Sequence, residues 1–339
     1  MQFLDISNAE RKAVFLEVSS EKGIRPDMVE KDFWVTWTLN RLFQDKSIAN
    51  VLLFKGGTSL SKAFNAIQRF SEDIDLLLDL KEVSDPSETF AKERTRNAIN
   101  VFKSKIDKKT SEYITTKLLP KIKDLIAPVC SAETDLNDPK NLYIKYPAVF
   151  ESGNYIRPNI KLEIGAFAEG TPFAHAQVQS YVAEKISSLD ETKSDIPTVS
   201  ITRTFWEKIT ILHYLHFLPE DRQTPLRHSR HFYDLFMLAN SEYKDEIFAS
   251  SSLLTGIIAF DRKYYTKRGV NYDGMNLQTL QILPTQNRIP ALQKDYELMS
   301  DMIFGKKPSW DAIMDFLAQL EEKLHSLEIR EENDFMQSI

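Results

Sequence analysis

FKGGTSLSKAFNAIQRFSEDIDLLL, residues 54–78, is the stretch whose reading decides the fold. The apolar run 51–54 reads as a strand and Gly56-Gly57 as a turn. A short helix follows, and a second strand opens with Asp73-Ile74-Asp75. Strand side chains alternate faces with period two, so Asp73 and Asp75 project from the same face. Two carboxylates side by side repel unless a positive charge lies between them, and hard oxygen donors favour Mg²⁺ or Mn²⁺. The Gly-Gly turn sets backbone N–H groups at a helix start, where phosphates are stabilised. Each half alone is weak, since Gly-Gly is common turn punctuation and most Asp-x-Asp pairs are solvated strand edges. In the order strand, GGTS, helix, RFSEDID, apolar strand, the two halves together point to nucleotidyl transfer.

The 339 residues leave room for two domains, or one domain with a large appendage. Hydrophobic residues make up 42% and the net charge is −6, so a globular core is expected without a global basic field. Any nucleic-acid contact must come from local patches. The single cysteine, Cys130, excludes an intramolecular disulfide and fits a reducing cytoplasm. The opening MQFLDISNAERK lacks the layout of a signal peptide, and no run approaches the ~18 apolar residues of a membrane span. A cytoplasmic protein with no membrane partner is the expectation.

Helices are expected over 6–19 and 27–44, the second with an amphipathic face through Phe33, Trp34 and Trp37. Residues 86–127 read as helical and Lys-rich, with seven lysines against Asp107 and Glu112 between Val101 and Lys123. That face, Lys108 and Lys109 included, is either simply solvated or a tether for an RNA backbone. Residues 128–155 read as loop-rich. Asn159 to Gly165 alternates like a half-exposed strand, 181–183 reads as a short strand, and 197–202 as a strand or a lead-in loop. Helices are expected over 204–218, 227–240, 243–260, 291–304 and 308–326, with the boundary between mixed α/β and helical parts near residue 200.

Several side chains stand out chemically. Glu163 lies on the polar face of its strand, either as a third metal-ligating carboxylate or as half of a Lys161/Glu163 surface pair. Lys208 sits among Phe205, Ile211, Leu212 and Leu215 at helical spacing, so it points inward toward an anion or snorkels out. Asp234 is an interior helix aspartate whose bland role is an ion pair with Arg230. Thr58 and Ser59 follow the glycines, to cap the helix or bond a phosphate oxygen, and Lys62 is one turn further, either at a phosphate or solvated. The pairs His213/His216 and His228/His231 lack the cysteines or HExxH pattern of a zinc site. Arg262, Lys263, Lys267 and Arg268 with Tyr264 and Tyr265 form a stacking-and-phosphate surface for single-stranded RNA, or a packed helix-end patch.

With GGTSLSK followed by RFSEDIDL, the chain resembles the polymerase-β-like nucleotidyltransferases. More closely, it resembles the AbiEii/AbiGii toxin family, including its members named MenT. The likeness also takes in EKDFW at 30–34, the helices of Lys208 and Asp234, the RKYY…YD segment, and the tail from Leu283 through LQKDYELMSDMIFGKKPSW at 292–310. It implies an α+β fold: a nucleotidyltransferase domain over 1–200, with a small mixed sheet flanked by helices and the insertion at 86–127. A helical domain over 201–339 contributes to the active site. It further implies catalysis by Asp73, Asp75, Lys208 and Asp234, nucleotide binding by Gly56, Gly57, Thr58, Ser59 and Lys62, and metal ligation by Asp73, Asp75 and Glu163. The expected activity is two-metal transfer of NMP from an NTP to an RNA acceptor, the tRNA 3′ end first, with Mg²⁺ or Mn²⁺, blocking translation. Some members are phage-defence toxins, and a cognate antitoxin is the expected protein partner. The alternatives are nucleotidylation of a protein or small molecule, and an NTP-binding regulator without turnover.

Overall fold

The computed structural model describes residues 3–150, 158–186 and 193–327. Residues 151–155 of the segment read as loop-rich, and 328–339 of the expected helical domain, lie outside the described residues. The chain divides into two compact units, Met1–Asn65 with Arg69–Val199, and Ala66–Gln68 with Ser200–Ile339.

In the first unit, α1 (Asn8–Lys22), α2 (Pro26–Phe43) and α3 (Lys46–Ala49) precede β1 (Leu52–Lys55), α4 (Gly56–Lys62) and β2 (Asp73–Leu78). Then come α5 (Arg96–Tyr113), α6 (Leu119–Ile126), β3 (Ser131–Thr134), β4 (Asn141–Lys145), β5 (Asn159–Gly165), β6 (Phe173–Ala176), α7 (Tyr181–Lys185) and β7 (Ile196–Val199). Local chemistry sets the helix ends: Ser7 and Glu10 form a capping box at α1, Gly23 closes it in the left-handed region, and Pro26 opens α2. The strands form one seven-stranded sheet in the order β3-β4-β5-β2-β1-β7-β6. It is mixed, because β1–β7 and β2–β5 pair in parallel while the other neighbours are antiparallel. Along β5, Ile160, Leu162 and Ile164 are buried while Asn159, Lys161 and Glu163 are half-exposed. Together with buried Ile74, Leu76 and Phe54 they give the sheet a core face, each side chain worth roughly 1.5–3 kcal/mol of burial. The opposite face is polar at Asp73 and Asp75 of β2 and at Asn159, Lys161 and Glu163 of β5.

Several expectations for this unit are corrected. Residues 128–150 hold two strands rather than a loop; β3 and β4 are too short and too polar at alternate positions to stand out, and Ala132, Leu142 and Ile144 are buried by their neighbours. Tyr181 opens a helix rather than a strand, because the Ser180 hydroxyl caps it by accepting the Ala183 N–H at 3.1 Å. Residues 86–95 are not helical; Thr95 caps α5, which runs through a π-helical turn at Ile114–Leu118 into α6.

The second unit is helical: α8 (Ile201–His216), α9 (Ser229–Ala239), α10 (Lys244–Ala249), α11 (Leu253–Tyr264), α12 (Ile289–Met299) and α13 (Trp310–Ser326). Ser200 caps α8, whose Phe205, Trp206, Ile209 and Leu212 are buried, and the Trp206 indole donates to the Ile247 carbonyl at 3.1 Å. The single helix expected over 243–260 is two, broken at 250–252, where the polar Ser250-Ser251-Ser252 run competes for backbone hydrogen bonds.

Candidate active site

Strand register builds a polar row across the open face of the sheet. Lys55 lies opposite Asp75, Asp75 opposite Glu163, and Glu163 opposite Asn141; one step back, Asp73 lies opposite Lys161. Directly opposed residues share a face, so Asp73 and Asp75 lie on one face as their alternation in sequence implies, and strand register adds Glu163 to it. Gly56 explains why the turn is glycine. Its φ is +82°, and a Cβ there would lie 1.9 Å from Oδ2 of Asp75. The backbone therefore packs directly against the carboxylate, which no side chain would permit. A Cβ on Gly57 would come within 2.7 Å of an Arg69 guanidinium nitrogen and 3.1 Å of the Ser71 hydroxyl. Arg69 and Ser71 thus set a cation and a hydroxyl beside Gly57.

The hydroxyls after the glycines serve inward. Thr58 donates to the Asp73 carbonyl, Ser59 donates to the Gly56 carbonyl at 2.8 Å, and both side chains are buried. Neither caps α4, whose N-cap position is Lys55 without a side-chain cap. They tie the turn to the strand that carries the carboxylates. Lys62 donates to Asp32 at 2.7 Å and stacks 4.0 Å over the Tyr181 ring.

Sequence reasoning left one block of charges beside the site without a role. Glu30, Lys31 and Asp32 on α2 are consecutive charges, each no more than 3% exposed. Glu30 accepts the Val149 and Phe150 N–H groups at 2.7 and 3.2 Å, and Lys31 bonds Glu72 at 2.7 Å. Asp32 holds Lys62 and accepts the Tyr181 N–H at 2.8 Å. Buried charges are costly unless paired, and these three pairings join α2 to the end of α4 and to the residue before Asp73. The sequence signals were three successive charges in an amphipathic helix and their place in the EKDFW stretch of the family likeness.

Electrostatics single out Asp73. Burial, then the nearby charges of Glu72 and Glu163, raise its pKa above the ordinary 3.8, against the pull of Lys161 and Lys31. Glu163 itself accepts a hydrogen bond from Lys161. Among the described residues no group of three or more His, Cys, Asp or Glu side chains is gathered to hold a metal. Asp73, pressed by Glu72 and Glu163, and Asp75 on the same face form a donor set that fits Mg²⁺, which keeps several waters and is held by one or two carboxylates plus substrate phosphates.

In the helical unit, Lys208 and Asp234 are paired at 2.9 Å, with the aspartate fully buried, so the bland Arg230 partner is not needed to account for Asp234. His231 Nδ1 lies 3.5 Å from the Lys208 ammonium. Burial first, then that positive charge, push the His231 pKa well below 6.5, so its ring is neutral. Of the basic residues singled out for RNA, Lys109 lies 3.7 Å from Asp85, Lys108 lies 3.8 Å from Glu112, and Arg262 bonds Asp273 at 2.6 Å. Lys263 lies over the Tyr264 ring, and the backbone N–H of Lys267 donates to the Tyr272 hydroxyl. Arg268 is exposed.

Comparison with known proteins adds three findings. The family model described as nucleotidyl transferase AbiEii toxin, type IV toxin–antitoxin system, matches residues 37–317. Among solved structures, the chain is similar to MenT4, a nucleotidyltransferase toxin from Mycobacterium tuberculosis H37Rv. The TM-score is 0.52 at 16% identity, over 94% of this chain and 90% of that one. An H. pylori protein named as a candidate nucleotidyltransferase aligns at TM-score 0.40 and 13% identity, over 91% of this chain and 100% of that one. No curated protein matches. No described helix is long and apolar enough to cross a membrane.

Proposed function

Since this chain belongs to the AbiEii nucleotidyltransferase toxin family, we propose that it moves a nucleoside monophosphate from an NTP onto a hydroxyl of an RNA 3′ end, that of tRNA first, and so blocks translation. One observation carries this reading: the Asp75 carboxylate packs on the backbone of Gly56, beside Asp73 on the same face. That arrangement brings anionic oxygens and a glycine turn together at one point, as a phosphoryl-transfer site requires.

The acceptor oxygen forms a bond to the α-phosphorus as the bond from that phosphorus to the β-bridging oxygen breaks. Pyrophosphate leaves, and the hydroxyl proton passes to a carboxylate of the Asp75–Glu163 row. Asp73 and Asp75 would hold the divalent ions, with Glu163 joining them once it releases Lys161. Bound there, such ions neutralise charge on the phosphates. Gly57 with Arg69 and Ser71 receives the triphosphate, while Thr58, Ser59 and Lys62 keep the turn in place. Lys208 and Asp234 serve the same reaction, a role that rests on the sequence resemblance. A cognate antitoxin, as in a type IV system, is the protein partner, and phage defence is the setting.

A protein or small-molecule acceptor is the second reading, favoured by ion pairs that neutralise Lys105 and Lys109 through Asp85. Incubating the purified protein with total tRNA, Mg²⁺ and each α-³²P-NTP separates the two on a denaturing gel. Label at tRNA length, absent with Asp75→Ala, is the expected result. Label only on protein or small molecules would overturn the RNA reading.

A further inference from the structure

The polar row has two ends that the catalytic assignments leave unused. Lys55, opposite Asp75, has no ion pair or hydrogen bond to its ammonium among the described residues, although it is half-buried. Asn141, opposite Glu163, likewise has no partner for its side-chain amide among the described residues. Both line a pocket of about 280 Å³ together with Asp75, Glu163, Asp138 and Lys140. A half-buried lysine that makes no ion pair among the described residues, at the end of a pocket whose three carboxylates are Asp75, Asp138 and Glu163, keeps its donors for an anionic group that arrives from outside.

The position of this pocket decides which anion. Asp75 lines it, but Gly56, Gly57, Asp73, Arg69 and Ser71 do not. The glycine turn with Arg69 and Ser71 therefore lies on one side of Asp75, and the pocket opens on the other, along β2 and β5 toward Leu77 and Gly165. In nucleotidyl transfer the attacking and leaving oxygens lie roughly in line on opposite sides of the phosphorus. If pyrophosphate departs over the glycine turn, the attacker must enter from the pocket.

The rim carries further positive charge. Phe167 lines the pocket, and the Lys103 ammonium of α5 lies 5.4 Å over its ring. Lys140 bonds Asp107 of the same helix at 3.2 Å. The Lys-rich helix thus borders this pocket rather than standing apart as a separate tether.

We infer that this pocket is the acceptor subsite, which takes the terminal nucleotide of an RNA 3′ end. Lys55 binds the phosphodiester behind the attacking hydroxyl, and Asn141 bonds the sugar or base. The inference rests on the RNA-transferase reading above, and it assigns Lys55 to the acceptor and not to the NTP.

The test is steady-state transfer to tRNA by the full chain carrying Lys55→Gln, Lys140→Gln or Asn141→Ala, with KM measured separately for tRNA and NTP over a range of salt. Lys55→Gln is expected to raise the KM for tRNA about tenfold and leave that for NTP within about twofold. The slope of log KM against log salt should fall by about 0.7, the loss of one single-strand phosphate contact. Asn141→Ala should raise the tRNA KM with no change in slope. Lys140→Gln, at a half-exposed position, should lower the slope less than Lys55→Gln and serves if that variant does not fold. An unchanged tRNA KM in all three variants, or a rise in the NTP KM instead, would overturn the assignment. Failure of the wild-type protein to label tRNA at all would instead remove the reading on which it rests.

Discussion

Asp73 and Asp234 are both acids set into apolar elements, yet their surroundings are opposite. Asp234 is fully buried and has its counter-charge, the Lys208 ammonium, at 2.9 Å. Asp73 is half-buried, and the charges of Glu72 and Glu163 press on it. A satisfied pair holds a fold together; a crowded carboxylate holds free energy that a cation would release. The contrast separates a group that the protein alone completes from one that waits for a ligand.

The largest expected effect breaks the crowded side. Asp73→Asn should lower transfer at least ~10³-fold, the loss of several kcal/mol of charge stabilisation in the transition state. It should also raise the melting temperature of the metal-free protein. The sign follows from the raised pKa: the folded state favours the protonated acid, so ionisation lowers stability as pH rises from the unfolded value of 3.8 through the folded one, and asparagine escapes that loss. A fall in melting temperature would place Asp73 with the satisfied acids. Calorimetry with and without Mg²⁺ checks it, and added Mg²⁺ should stabilise the wild type more than the variant.

Next in size is the satisfied side. Asp234→Ala leaves the Lys208 ammonium buried without its anion and should cost about 3–5 kcal/mol of stability. Adding Lys208→Met to that variant should recover most of the loss, because no uncompensated charge remains. Urea unfolding of the single and double variants measures both. Equal stability of the two would mean that the pair does not carry the burial of Lys208.

A smaller effect sharpens the comparison with a third kind of buried group, one that stays neutral. His213 accepts the Gln281 N–H at 3.0 Å, and burial, followed by the His216 charge, lowers its pKa to about 4. A histidine depressed in the folded state gives its full stability above the unfolded value of 6.5 and loses it as pH falls toward 4. The wild type should therefore lose up to about 3 kcal/mol over that window relative to His213→Asn, read as the difference in urea unfolding between pH 7 and pH 4.5.

How much of this was legible differs from element to element. The pair Asp73 and Asp75 was readable because period-two alternation is a local rule, and Gly56 was readable as a turn, but its close packing on the Asp75 carboxylate was not. Lys208 stood out as a cation in an apolar stripe, and its partner Asp234 stood out separately, but their pairing spans 26 positions and left no local mark. Lys62 looked like a phosphate contact one turn beyond the glycines, whereas its ammonium is held by Asp32, thirty residues earlier. Strands β3 and β4 were missed because four or five alternating residues give too little periodicity to rise above a loop.

The sequence by itself determined that a strand, a glycine turn, a helix and a second strand would set two carboxylates on one face, and that a helical part would follow. Those features depend on backbone geometry within a few residues. Only the tertiary structure decided which charges meet: Lys31 with Glu72, Lys62 with Asp32, Asp75 beside Lys55 and Glu163. Ion pairs and strand register join residues far apart in the chain, and burial sets their energies, so no local spacing could reveal which carboxylate would be satisfied and which left crowded.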